Sequence, residues 1–220
     1  DFFLLRENNK YNVPKKILDL VTLRLPNSYG LDAMNDIQVL CPSRMGETGT
    51  QNINAVLQAK LNPPSKDKQE IRYKGYTLRE GDRVMQIKNN YNVEWKIVET
   101  GKITEDGVGV FNGDEGIITY MDLDNEYVEI LFDDNKVVHY DFTQMDEIDL
   151  SYAVTIHKSQ GSEYKAVVMP LLNGPDMLMS RNLLYTGITR AKKMLIIIGN
   201  ENIVNFMINN VDSKKRNTGL

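Results

Sequence analysis

The sequence has 220 residues, enough for one large domain or a domain with a small insert, and its 41% hydrophobic and 25% charged content is ordinary for a globular chain. No apolar run approaches the roughly 18 residues needed to cross a bilayer and no signal-peptide layout opens the chain, so no membrane partner is expected. A net charge of −4 argues against a protein that coats nucleic acid by bulk charge, while leaving room for a local basic groove.

The single cysteine, Cys41, excludes an intrachain disulfide. Its apolar setting reads as a buried reduced thiol, and a cytoplasmic location is expected. The chain opens at Asp1, without an initiator methionine, on an apolar FFLL run, and is expected to be a fragment of something larger.

Phe2–Leu5 predict a short buried strand. Pro14 opens a helical pattern carried by Ile17, Leu18, Val21 and Leu25, with a loop expected over Pro26–Gly30. Ile37–Cys41 predict a strand ended by Pro42. Gly46 and Gly49 then make a flexible turn into a helix whose Ile53, Val56, Leu57 and Leu61 share a face, stopped by Pro63 and Pro64. Strand, glycine turn and helix can present backbone N–H groups to an anion. A plain connection is the competing reading, since G-x-x-x-x-G-K-[ST] is absent.

From about residue 72 to 147 the periodicity changes. Arg83–Lys88, Gly116–Asp122, Glu126–Phe132 and Lys136–Phe142 are strand-like runs divided by turn residues at Asn112-Gly113-Asp114, Asp122–Asn125 and Asp133-Asp134-Asn135. They predict a small antiparallel barrel, inserted at 72–147 into an α/β domain formed by 1–71 and 148–220. Asn89, Asn90 and Tyr91, at the end of its first strand, are candidates for stacking on or hydrogen-bonding a nucleic-acid strand; turn-forming asparagines are the commoner alternative.

After the insert, Leu150, Ala153, Val154 and His157 follow helix spacing, with Asp149 as N-cap. Ala166–Pro170 predict a buried parallel strand. Ser180 caps a helix with Leu183, Leu184, Ile188 and Ala191 on its apolar face. Leu195–Ile198 form another strand, and a last helix, Ile203–Val211, leads into the basic tail Lys214-Lys215-Arg216.

The chemistry concentrates in two clusters. Thr155, His157, Lys158, Ser159, Gln160, Gly161, Ser162 and Glu163 fall within nine residues beside a buried strand, and Thr189, Arg190 and Lys192 precede the next one. Singly, such an arginine is usually a surface ion pair and such a histidine a satisfied ring. Together, the hydroxyls, amide and backbone N–H groups of one turn can position a phosphate backbone without reading bases.

TIHKSQG followed by YTGITRA resembles the late motifs, usually called V and VI, of superfamily 1 DNA helicases. VLCPSRMGETGT-x-x-I-N-x-x-L-Q, GDRVMQIKNNY and VFNGDEG are similar to the RecD-like branch, so the resemblance covers nearly the whole chain. It implies the second of two RecA-like parallel-sheet motor domains with an inserted SH3-like barrel. It also implies ATP-dependent 5′–3′ DNA helicase activity in repair or recombination.

On that resemblance Arg190 matches the arginine finger, flanked by Thr189 and Tyr185. Glu163 matches a nucleotide-holding position, with Gln160 and Gly161 coupling it to the DNA contact. Thr155, His157, Lys158 and Ser159 match DNA-backbone contacts. ATP and Mg²⁺ are expected mainly on a first, N-terminal motor domain, and no metal ligands are expected in this chain. Single-stranded DNA, that motor domain and nuclease subunits of a recombination complex are the expected partners. Without a Walker A sequence, the isolated chain is expected to be inactive. A UvrD-type or conjugative relaxase helicase, or a non-catalytic nucleic-acid or protein adaptor, are the competing readings.

Overall fold

In chain order the elements are β1 (Phe2–Arg6), α1 (Val13–Asp19), α2 (Leu25–Tyr29), β2 (Ile37–Cys41), α3 (Thr50–Leu61), β3 (Glu70–Tyr73), β4 (Tyr76–Arg79), β5 (Arg83–Gln86), β6 (Asn90–Glu99), β7 (Lys102–Val110), β8 (Glu115–Asp122), β9 (Tyr127–Phe132), β10 (Lys136–Asp141), β11 (Ile148–Leu150), β12 (Ala153–Thr155), β13 (Tyr164–Leu171), α4 (Arg181–Ile188), β14 (Ala191–Gly199) and α5 (Glu201–Asn209). The computed structural model describes residues 1–73, 75–172 and 178–211; the Lys214-Lys215-Arg216 tail lies outside them. None of the described helices is long and apolar enough to cross a membrane.

Contacts divide the chain into two units, 1–52 with 154–220 and Ile53–Ala153. The first is built on a sheet of order β1-β14-β13-β2-β12. Its β1–β14, β13–β14 and β13–β2 pairings are parallel. Strands covered on both faces need apolar residues at every position, and Val39, Leu40, Cys41, Val167, Val168, Ile197 and Ile198 are indeed fully buried. Burial pushes the Cys41 thiol well above its usual range, as the sequence reading of an inert thiol requires.

The second unit carries a seven-stranded antiparallel sheet, β11-β5-β8-β9-β10-β6-β7, beside the β3–β4 hairpin. An α/β unit on a parallel sheet with a small all-β unit is thus the observed fold. Contacts draw α3 from Ile53 onward into the all-β unit, beyond the 72–147 limits expected from periodicity. The reason is polar: Asn54 and Gln58 on α3, with Asn62 just past its end, form a buried stripe next to Ile53 and Leu57, and each bonds within the second unit.

Four local expectations change. The Phe2–Leu5 strand forms as β1, but at the edge of its sheet, which leaves Phe2 and Phe3 exposed rather than buried. The first helix does not stop at Pro26: a π-helical turn over Leu20–Arg24 joins α1 to α2, where Pro26 falls in the first turn and Gly30, at φ +64°, ends the helix. The helix expected from Leu150 to His157 is two short strands and a 3₁₀ turn, Ile156–Ser159, capped by Thr155 rather than Asp149. Finally, β6 and β7 form a long hairpin across Thr100 (φ +50°) and Gly101 (φ +77°), both left-handed as a two-residue type I′ turn demands.

Candidate functional site

The turn after β12 is shaped by its own side chains. Thr155 Oγ1 accepts from the Lys158 N–H at 3.4 Å. Ser159 is fully buried and its hydroxyl donates to the Ile156 carbonyl at 2.8 Å, so it braces the turn from inside instead of facing solvent. His157 and Gln160 are exposed and Lys158 is half-buried. Gly161 has φ +95° with open space where a Cβ would stand, so backbone strain, not crowding, selects glycine there.

Downstream, Ser180 caps α4 as expected, its Oγ accepting from the Leu183 N–H at 3.2 Å. Leu183, Leu184 and Gly187 face inward, whereas Ile188 is exposed and Ala191 already belongs to β14. A Cβ on Gly187 would come within 2.4 Å of Met169 Sδ, so glycine lets α4 lie this close to β13 with the buried Met169 side chain in place.

That approach sets the position of Arg190. At the end of α4, carbonyl groups lack intrahelical partners, and Thr186 O accepts from both Thr189 Oγ1 (3.0 Å) and Arg190 Nε (3.2 Å). Arg190 Nη1 donates to Ser162 O at 2.9 Å, and Nη2 donates to Thr189 Oγ1 at 3.1 Å. The guanidinium is half-buried and in no ion pair among the described residues; its two further N–H groups have no partner there either. A fixed, partly desolvated cation with free donors suits a phosphate.

Glu163 follows Ser162 directly, is exposed, and pairs with Lys192 at 3.3 Å, both side chains 55% exposed. A register shift between β13 and β14 falls beside Lys192, the kind of bulge that re-aims side chains near sites. Tyr185, 69% exposed, stands one helical turn before Thr189, whose N–H donates to its carbonyl. Arg190, Thr189, Gln160, Gly161 and Glu163 therefore share one neighbourhood.

The expected anion-binding turn before α3 is organised differently. The Gly49, Thr50 and Gln51 N–H groups donate to the carbonyls of Gly46, Ser43 and Arg44, so these amides serve the plain connection. In the all-β unit, Asn90 is structural: its Oδ1 accepts from the Asn92 and Val93 N–H groups and its Nδ2 donates to Glu147 at 2.9 Å. Asn89 Oδ1 accepts from the Asn112 N–H. Tyr91 is 65% exposed and packs edge-on against the exposed Phe111, ring centroids 5.7 Å apart. Phe111, inside the VFNGDEG run, was not among the candidate site residues, although an aromatic beside the Asn112-Gly113 turn was the available signal. No group of three or more His, Cys, Asp or Glu that could hold a metal occurs among the described residues.

Two family models match the chain. The "ATP-dependent RecD-like DNA helicase SH3 domain" matches residues 53–132, starting where the second unit starts, and the "UvrD-like helicase C-terminal domain" matches 150–198, which holds both polar clusters. The ATP-dependent RecD2 DNA helicase of Deinococcus radiodurans is 33% identical over 74% of this chain and 20% of its own length. The chain belongs to the RecD-like helicases.

The RecBCD enzyme subunit RecD of Haemophilus influenzae is 30% identical over 84% of this RecD-like chain and 24% of that protein. The chain thus spans about a quarter or less of the curated relatives it matches. A solved structure of Pif1 helicase from Bacteroides with ADP-AlF3 and ssDNA aligns over 91% of this chain and 53% of that chain, at 16% identity and a TM-score of 0.47. In this RecD-like chain the all-β unit contains the SH3 domain, and the parallel-sheet unit holds most of the UvrD-like helicase C-terminal domain.

Proposed function

We propose that this chain is the second motor domain, with its inserted barrel, of an ATP-dependent 5′–3′ DNA helicase acting in repair or recombination, and that Arg190 is its arginine finger. The observation that carries the reading is the clamp on Arg190. Backbone carbonyls of Thr186 and Ser162 and the Thr189 hydroxyl fix the guanidinium without an acidic partner, which leaves its charge for an incoming anion.

ATP, when bound, supplies a phosphoryl group whose departing charge a guanidinium stabilises. Arg190 holds that positive charge, Thr189 orients it, and the Ser162 carbonyl ties it to the turn carrying Gln160, Gly161 and Glu163. Thr155, His157 and Lys158 would contact the backbone of single-stranded DNA on the same turn, while Ser159 shapes it from within. Most contacts to ATP and Mg²⁺ would come from a first motor domain, so the isolated chain should not hydrolyse ATP appreciably. Nuclease subunits of a recombination complex are the further partners proposed, a reading favoured by the RecBCD subunit among the relatives.

The test is Arg190→Ala in the full-length protein. DNA-stimulated ATP hydrolysis should fall by about 10³-fold or more while single-stranded DNA binding is kept. Unchanged hydrolysis would overturn the reading in favour of an adaptor.

A further inference from the structure

Strands β8, β9 and β10 of the all-β unit bury one face and show the other to solvent. Val128, Ile130, Val138 and Tyr140 point into the core. The residues alternating with them stand outside, in three cross-strand rungs: Asp122–Tyr127–Asp141, Tyr120–Glu129–His139 and Ile117–Leu131–Val137. A register shift in β8 between Ile118 and Tyr120 makes Thr119 an extra residue, which turns Tyr120 outward instead of into the core. Tyr120 is 44% exposed and Leu131 36%. Tyr127 stacks on His139, with centroids 5.3 Å and planes 12° apart, and the Tyr120 ring lies 6.0 Å from that of Tyr127.

The solvent face of an antiparallel sheet is ordinarily polar, so three clustered rings beside an apolar rung mark an interaction surface. The charges on it select the partner. Its carboxylates are Asp122, Glu129 and Asp141, and none of the three rungs carries a lysine or arginine. Glu129 is held in place by the Thr119 hydroxyl at 2.8 Å and His139 Nε2 at 3.0 Å. Asp122 is held below the ordinary carboxylate value, first by the Asn125 side chain, and so stays charged. Carboxylates beside exposed rings repel a phosphate backbone and attract a guanidinium, which gains from the ring and from the carboxylate together. The rungs repeat every second residue, the same repeat as the alternate side chains of an extended peptide.

We propose that this face docks an extended basic segment of a protein partner, with arginines at alternate positions on the first two rungs and an aliphatic side chain on the third, against Leu131. Tyr120, Asp122 and Glu129 would take the guanidinium groups. The surface lies wholly within the all-β unit, and none of its residues is among those assigned to ATP or DNA.

The test uses the full-length protein and fluorescein-labelled peptides read by anisotropy. The peptides carry Arg, Arg and Leu at alternate positions separated by serines, in both orders, and matched peptides carry Glu in place of Arg. The arginine peptides should bind and the glutamate peptides should not. Tyr120→Ala, at an exposed position, should weaken binding by about tenfold, as loss of an aromatic anchor does. Asp141→Asn, which removes charge but keeps a side chain able to cap the following turn, should weaken it by about threefold. Glu105→Gln, the same change on the exposed part of β7, should leave it unchanged. Failure of the arginine peptides to bind at up to about 1 mM, or full affinity in Tyr120→Ala, would overturn the proposal. Equal weakening by Glu105→Gln and Asp141→Asn would overturn it in favour of bulk attraction to an acidic surface. Loss of oligo(dT) affinity in Tyr120→Ala would make the face a nucleic-acid contact, and self-association abolished by Tyr120→Ala would make its occupant a second copy of the chain; either result overturns the proposal.

Discussion

Arg190 Nη1 reaches the carbonyl oxygen of Ser162 across 2.9 Å, which fastens the end of α4 to the turn leading into β13. The fastening depends on how closely α4 lies against Met169, and that closeness depends on Gly187.

Gly187→Ala should therefore destabilise the chain even though alanine is the better helix former by about 1 kcal/mol. The added methyl must displace Met169 or lift α4, and overpacking of this kind costs about 1–3 kcal/mol. Gly187→Val should do more harm. Urea unfolding monitored by circular dichroism reads the order; an alanine variant as stable as the parent would show that Met169 yields freely.

Arg83 and Glu115 form a buried ion pair, with Nε and Nη2 both donating to Oε2 at 3.1 and 2.5 Å. Glu115→Leu should cost up to about 3–5 kcal/mol because it takes the carboxylate charge away from the buried pair, whereas Arg83→Met with Glu115→Leu should recover most of that loss. A double-mutant cycle on unfolding free energies decides it, and simple additivity would refute the coupling.

Asp82 titrates above the ordinary carboxylate value of 3.8, chiefly because burial penalises its charge, against the opposing bonds from Asn62, Tyr152, the Arg79 N–H and Gln58. The folded state then holds its proton more tightly than the unfolded chain. Its contribution to stability is present below 3.8 and is lost as pH rises through the raised folded value, levelling off above it. Asp82→Asn should lower stability overall, by leaving donors without their acceptor, and should remove that slope. Urea midpoints measured across the acid range would show the difference; parallel pH curves for the two proteins would count against it.

The strands of the parallel sheet were legible because runs such as Val167–Met169 and Leu195–Ile198 are apolar at every position and bounded by turns. The Ser180 cap was legible for the same local reason. Leu150–His157 misled because both faces of that stretch are buried, which erases strand alternation and leaves a spacing that mimics a helix. The β6–β7 hairpin was hidden by exposure on both faces, although Thr100-Gly101 marked its turn. At the candidate site the side chains could be named in advance. The carbonyls of Ser162 and Thr186 could not, since every residue carries one and only the fold decides which are left to accept.

The amide stripe along α3 and just past its end has a consequence for how this protein tolerates change. A greasy seam can slide by one turn and still exclude water, so drift among aliphatic residues is forgiven. Asn54, Gln58 and Asn62 cannot slide without abandoning Asp82 and the Ala153 backbone together, which leaves the helix one seating and makes its register, more than its greasiness, the property that selection has to guard.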